Sequence, residues 1–424
     1  MKKQLFTIIG ILSIIICFSC NISAQRILIP MDHTQSDHLK AYGITYWVLK
    51  QQVTVEWLLN YRGGSFLMDN YPGIIKELRL RGVRFEEISS SDVLQIYSVI
   101  DENNMDIVLL EKAAKIAIYS SPNKQPWDDA VTLALTYGEI DYDVIWDDDV
   151  LTRRLQDYDW LHLHHEDFTG QYGKFYANYR NHDWYKQQKQ EFEAMAQKLG
   201  FQKVSDEKKA VAKKIRDYVG KGGFLFAMCS ATDALDIALS AEGVDIAASV
   251  FDGDPVDPNA QAKLDFSKTF AFENFSLYTD PMIYEYSDID YPPSFQAIAP
   301  GAEADYFTLF EFSAKYDPVP TMLTQNHVGV IKGFMGQTTG FKRDKVKKSI
   351  VVMGEVEGGE QIKYIHGNFG KGTFTFLGGH DPEDYRHYVG DPPTRLELYK
   401  NSPGYRLILN NVLFPSAKKK ERKT

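Results

Sequence analysis

Residues 220–235, GKGGFLFAMCSATDAL, run from paired glycines through a short apolar strand into Cys229 and then into small, helix-forming residues. Where a strand turns sharply into a helix, the corner residue stands at the top of the sheet, and residues two before and two after it must be small. Ala227 and Ala231 hold those places. The following helix would aim its N-terminus at the thiol and favour thiolate. The competing reading is a cysteine that ends a buried strand, since free cysteine is among the most buried residue types.

The chain alternates strand-like and helix-like segments on either side of this stretch. RILIP, VTVEWLLNY and VRFEEIS read as strands; Ser36 to Gln51, GIIKELRLRG after Pro72, and SDVLQIYSVIDE with Ser91 as cap read as helices. They make an N-terminal α/β unit over residues 26 to 110. KIAIYSS, DYDVIW and DWLHLHH continue as strands, with WDDAVTLALTYGE and EKKAVAKKIRDYVGKGG as helices. The pattern predicts an α/β fold with a mainly parallel sheet flanked by helices. Residues 243–320, rich in Asp, Pro and aromatics, read as an insertion or lid within a domain spanning 111–415. KSIVVMGEV, EQIKYIHGN and GKGTFTFLGG resume the strands, and SPGYRLILNNVLF is the last helix.

GKGTFTFLGGHDPEDYRH opens like the first stretch and ends its strand in Gly378, Gly379 and His380. Strand ends converge along one edge of a parallel sheet, so His380 can meet Cys229 despite their separation in sequence. Asp381 or Glu383 could orient the imidazole. At these residues the chain resembles the class I glutamine amidotransferase-like superfamily, including its ThuA-like branch, over roughly residues 113–240 and 345–390. The resemblance implies a flavodoxin-like sandwich and a Cys-His-Glu triad. Active members carry glycines beside the cysteine, a glutamine four residues after it and a His-x-Glu motif; here stand Ala227, Ala231, Asp233 and a glutamate three residues after His380. The whole chain is also similar to exported bacterial proteins often labelled asparagine synthetase B. That label implies an N-terminal cysteine nucleophile and an S-G-G-x-D-S loop, whereas YRGGSF at 61–66 lacks the acid and the second serine.

WLHLHHEDFTGQYG is the other chemical constellation. Strand alternation puts His162, His164 and Glu166 on one face and His165 and Asp167 on the other. The first three could hold a divalent metal that activates water, the only cofactor the residues raise. The bland reading is a polar strand end that satisfies loop backbone. His164, His165, Glu166, Asp167 and Asp233 would rim one pocket around Cys229. KFYANYRNHDWY, next along the chain, is either a lid stacking on sugar-like rings or a helix and loop packed on the core. FDGDPVDPN groups Asp252, Asp254 and Asp257 without calcium-loop spacing and reads as a capping turn. GQTTGFK has no phosphate-loop spacing.

The first 24 residues have the layout of a secretory signal: Lys2 and Lys3, an apolar run, and small residues before Gln25. Cleavage after Ala24 predicts an exported, periplasmic protein; lipid attachment at Cys20 is the alternative. Cys229 is then the one remaining cysteine, so no internal disulfide forms. Loss of the two lysines takes the net charge from -10 to -12, which argues against nucleic acid as a partner. No spanning segment is expected after cleavage, and residues 416–424 form a basic tail. Three functions stay open: a cysteine-dependent amide hydrolase, a noncatalytic module that binds a small or carbohydrate-like ligand or serves assembly, and a metal-dependent hydrolase.

Overall fold

The computed structural model describes residues 25–122, 129–152, 155–290, 305–317, 320–334, 336–384 and 392–418. The signal region with Cys20 and the last residues of the basic tail lie outside them. Among the described residues no helix is long and apolar enough to cross a membrane.

The N-terminal unit forms a five-stranded sheet of β1 (Arg26–Ile29), β2 (Val55–Leu59), β3 (Ser65–Asp69), β4 (Glu86–Ile88) and β5 (Asp106–Leu110). Its order is β4-β1-β3-β2-β5 and every pairing is antiparallel. The reason lies in a strand hidden inside YRGGSFLMD. Residues 60–64 return the chain directly from β2 to β3, whereas a parallel connection needs a dozen or more residues. Gly63 and Gly64 take the left-handed region in that turn, and a Cβ on Gly63 would lie 2.4 Å from the Met31 carbonyl oxygen. Side chains alternate along these strands. Ile27, Trp57 and Phe66 face the helix His38–Lys50, while Leu28, Leu58 and Leu67 meet Val93 and Ile96 of the helix Ser90–Glu102. That second helix is capped by Ser89, not Ser91, in a reciprocal capping box with Asp92.

The larger sheet contains β6 (Ile116–Tyr119), β7 (Asp143–Ile145), β8 (Trp160–Leu163), β9 (Phe224–Met228), β10 (Tyr306–Leu309), β11 (Val330–Lys332), β12 (Phe341–Lys342), β13 (Val351–Glu355), β14 (Gln361–Phe369) and β15 (Gly372–Leu377). Its order is β11-β10-β13-β14-β15-β9-β8-β6-β7, with β12 paired to β14. The run β15-β9-β8-β6-β7 is parallel and the remaining pairings are antiparallel, so the fold is mixed α/β. The parallel strands are covered on both faces, which is why FLFAM is buried at every position. Helices Asp183–Lys198, Val204–Gly220 and Ser230–Ser240 contribute to the apolar cluster on one face. Helices Ala130–Gly138 and Pro403–Leu413 contribute to the other, which is continuous with the core of the N-terminal sheet.

The described part of the expected insertion up to Asp290 holds only short helical turns, such as Ser249–Asp252, joined by irregular chain, but residues 306–309 enter the sheet as β10. Asp236 anchors the irregular part: its buried carboxylate accepts from the backbone N–H groups of Phe270, Ala271 and Phe272 at 2.6–2.9 Å. Arg406, fully buried, ties the last helix to the start of the chain by donating to the carbonyls of Met31 and Gly63 at 3.0 and 2.8 Å.

The helices His38–Lys50 and Ala130–Gly138 meet glycine to glycine. A Cβ on Gly43 would fall 1.9 Å from the carbonyl oxygen of Gly138, whereas one on Gly73 would meet nothing within 4 Å. Gly43→Ala is expected to destabilise the protein by about 3 kcal/mol or more, because backbone must move. Gly73→Ala should stabilise it by roughly 0.5 kcal/mol through helix propensity. Thermal melts of the two variants check the contrast.

Candidate functional site

The site forms where β8, β9 and β15 end side by side, with Leu163 opposite Ala227 and Leu377 opposite Met228. Cys229 is the corner between β9 and the helix Ser230–Ser240, with φ 50° and ψ -140°. An L residue rarely holds this left-handed backbone, and such strain gathers at functional sites. The corner is clamped from both neighbours: the Cys229 N–H donates to the Leu377 carbonyl at 3.2 Å and the Ala231 N–H to the His164 carbonyl at 3.1 Å.

A segment that sequence reasoning set aside, GQTTG at 336–340, closes over this corner. Backbone N–H groups of Thr338, Ser230 and Gln337 are directed at the Cys229 sulfur. Thr338 also accepts from the Gly379 N–H at 2.7 Å, and its hydroxyl donates to Asp233 at 3.0 Å. The Gln337 amide donates to the carbonyls of Gly173 and Tyr284, both at 2.9 Å. Gly336 sits between the two expected partners: a Cβ there would lie 3.0 Å from Cys229 Sγ and 3.0 Å from His380 Cβ. Those two atoms are therefore no farther apart than twice that distance. Gly379, with φ +90°, lets the Phe334 backbone pass where a Cβ would stand 2.0 Å from its carbonyl oxygen. The glycines of GQTTG were the available signal, but they mark close packing of two segments distant in sequence.

Cys229 is 1% exposed, and burial pushes its thiol up to about 11 despite the three N–H groups facing it. Of the carboxylates behind His380, Asp381 accepts from the N–H groups of Glu383 and Asp384 and from the Thr394 hydroxyl, so it organises its own loop. Glu383 is half-buried beside it. Asp233 is buried, and burial pushes its carboxyl up to about 7.

His380 meets the histidine cluster, which is arranged differently from strand alternation. His162 and His164 both approach Asp129 Oδ1, at 3.4 and 3.1 Å, and His162 Nδ1 also pairs with the Phe226 carbonyl. Glu166 instead turns back to accept from the His164 N–H at 2.7 Å, because β8 has already ended at Leu163. Asp129 thus takes the place expected of Glu166 beside the two histidines. It was legible only as the cap of the helix Ala130–Gly138, a role it also fills. Burial opposes its charge, but His162 and His164 hold its carboxyl well below the usual range. Burial, and then the Asp129 charge, push Glu166 up to about 8. Asp167 accepts from Thr169 and Gly173 and shapes the loop.

A cleft of about 530 Å³ opens beside the cluster, with Asp129, His165, Glu166, Trp146, Phe175 and Lys208 on its walls. His165 joins cleft and corner, since its ring stacks on that of His380 with centroids 5.9 Å apart. Within the aromatic string that follows, Phe175, Tyr179 and Trp184 pack on one another, and Tyr185 is buried. Asp252 and Asp254, with Asp245, surround the Lys203 ammonium, while Asp257 pairs with Lys263.

No family model and no curated protein matches the chain. Among solved structures, Cytoplasmic Protein STM3548 from Salmonella typhimurium overlays on 72% of this chain and 100% of its own, with 11% identity and a TM-score of 0.35. Cytoplasmic Protein STM1381 from Salmonella typhimurium LT2 covers the same shares at 12% identity and a TM-score of 0.35. A beta-galactosidase from Bacillus circulans sp. alkalophilus is similar over 65% of this chain and 29% of its own, at 10% identity and a TM-score of 0.28.

Asp233 titrates near 3.8 when unfolded and about 7 when folded, so between those values the native state holds the extra proton. Its contribution is complete below the lower value and is lost as pH rises through the upper one. Asp233→Asn should therefore lose less stability than the native chain between pH 4 and 8, by roughly 4 kcal/mol. Urea melts across that range measure it, and parallel curves would remove Asp233 as the cause.

Proposed function

We propose that the chain is a class I glutamine amidotransferase-like protein that cleaves an amide or related bond through Cys229. One observation carries the reading: the strained corner of Cys229, with His380 held against it across Gly336. The parallel strands add support. Numbered along the chain from β6, their spatial order is 2-1-3-4-5, the order of flavodoxin-like sheets.

In this reading the thiol proton passes to the His380 imidazole as sulfur bonds to the carbonyl carbon. The N–H groups of Ser230, Gln337 and Thr338 stabilise negative charge as it develops on sulfur. The carbon–nitrogen bond then breaks, and His380 returns the proton to the leaving amine. Water attacks the thioester, gives its proton to His380 and restores the thiol. Asp381 or Glu383 would orient the imidazole, and Asp381 is also engaged by its own loop. Asp233 stands where the family's glutamine would be, which argues against glutamine itself as the substrate. The signal region makes the site that of an exported protein.

The burial of Cys229 and its raised thiol favour a second reading, a binding module that keeps the corner without chemistry. Its ligand would occupy the 530 Å³ cleft, whose walls combine the aromatic Trp146 and Phe175 with the acidic Asp129 and Glu166, a lining suited to a carbohydrate-like molecule.

Iodoacetamide separates the two. The hydrolase reading expects Cys229 to be labelled in the folded chain, and His380→Gln or Gly336→Ala to slow labelling at least about tenfold, as general-base assistance is worth that and more. Labelling that tracks only the unfolded fraction, unchanged by either variant, favours the binding module.

A further inference from the structure

We infer that His164, His165 and His380 form a site for a divalent transition ion of the zinc class. This assignment stands independently of the thiol reading, and it differs from the His162, His164 and Glu166 set that strand alternation suggests.

One ring nitrogen from each of the three histidines lies within 4.8 Å of the others. A tetrahedral ion with bonds of about 2.0–2.1 Å sets its ligand atoms roughly 3.4 Å apart, so the rings need only close in slightly. They already pack as a three-sided group. The His164 and His165 centroids are 4.8 Å apart with planes at 66°, and those of His164 and His380 are 4.9 Å apart at 80°.

The surroundings match those of a metal-binding imidazole. Asp129 engages His164 Nδ1 at 3.1 Å, which orients the ring and raises the basicity of Nε2. The Asp129 carboxylate is itself fixed by the N–H groups of Val131 and Thr132 at 2.7 and 3.2 Å. His380 is held by Gly379, whose N–H donates to Thr338. An entry path exists as well, because His165 is half-exposed and lines the cleft. Three imidazoles leave a fourth position for water or a ligand in that cleft, the arrangement of open zinc sites.

The consequence for the corner is direct. An ion on His380 takes up a lone pair, and a ring so bound cannot also accept the Cys229 proton.

The test uses the full mature chain, stripped of metal and titrated with Co²⁺ followed optically and with Zn²⁺ followed by calorimetry. One equivalent of each is expected to bind, with the visible bands of four-coordinate cobalt and no thiolate-to-cobalt charge-transfer band. His165→Ala, at the half-exposed position, should weaken binding at least about 100-fold with an unchanged melting temperature. Cys229→Ser should leave affinity and spectrum as they are. No binding, binding unaffected by His165→Ala, or a charge-transfer band lost in Cys229→Ser would each overturn the assignment. Iodoacetamide labelling of the metal-free chain judges the thiol reading separately, so either idea can fail alone.

Discussion

The backbone of Cys229 is the constraint around which the site is built. A residue held at φ 50° costs on the order of 1–3 kcal/mol, and surrounding structure must hold it there. Here β15 supplies the Leu377 carbonyl, β8 continues into the His164 carbonyl, and the GQTTG segment brings N–H groups onto the sulfur. Each contact sets a demand elsewhere. Three strands must end level, Ala227 and Ala231 must stay small, and Gly336 and Gly379 must lack side chains.

The helix after the corner distributes that constraint through two buried acids. Asp233 holds Thr338, and with it the segment over the sulfur. One turn on, Asp236 holds the backbone of Phe270 to Phe272. Burial pushes both carboxyls up, to about 7 and about 6, even though each is hydrogen-bonded. A helix buried along its whole length thus organises the loop over the site and the irregular segment behind it.

The convergence of Cys229 and His380 was legible because parallel strand ends share an edge, a rule that needs only the strands and their direction. The closing segment was not. GQTTG reaches the corner from more than 100 residues away in sequence, and two glycines do not reveal which backbone they allow to approach. Asp129 was hidden similarly: its capping role is local, while its contacts with His162 and His164 are tertiary. In the N-terminal unit, YRGGSF has no nucleotide-loop spacing, and its paired glycines do not disclose the strand that begins at Ser65. That one missed strand makes the difference between parallel crossovers and an antiparallel sheet.

Arg406 gives the chain a temporal order. Its guanidinium reaches from the last helix to carbonyls beside β1 and in the β2–β3 turn, and Tyr42 of the first helix donates to Asn410 on that same last helix. Segments made early therefore complete their core with a helix made more than 340 residues later. A growing chain carries the helix His38–Lys50, which covers its first sheet, without these partners until the helix Pro403–Leu413 has been made, and closure must join segments more than 340 residues apart. Contacts of such separation form slowly, so this part of the core waits for the helix Pro403–Leu413.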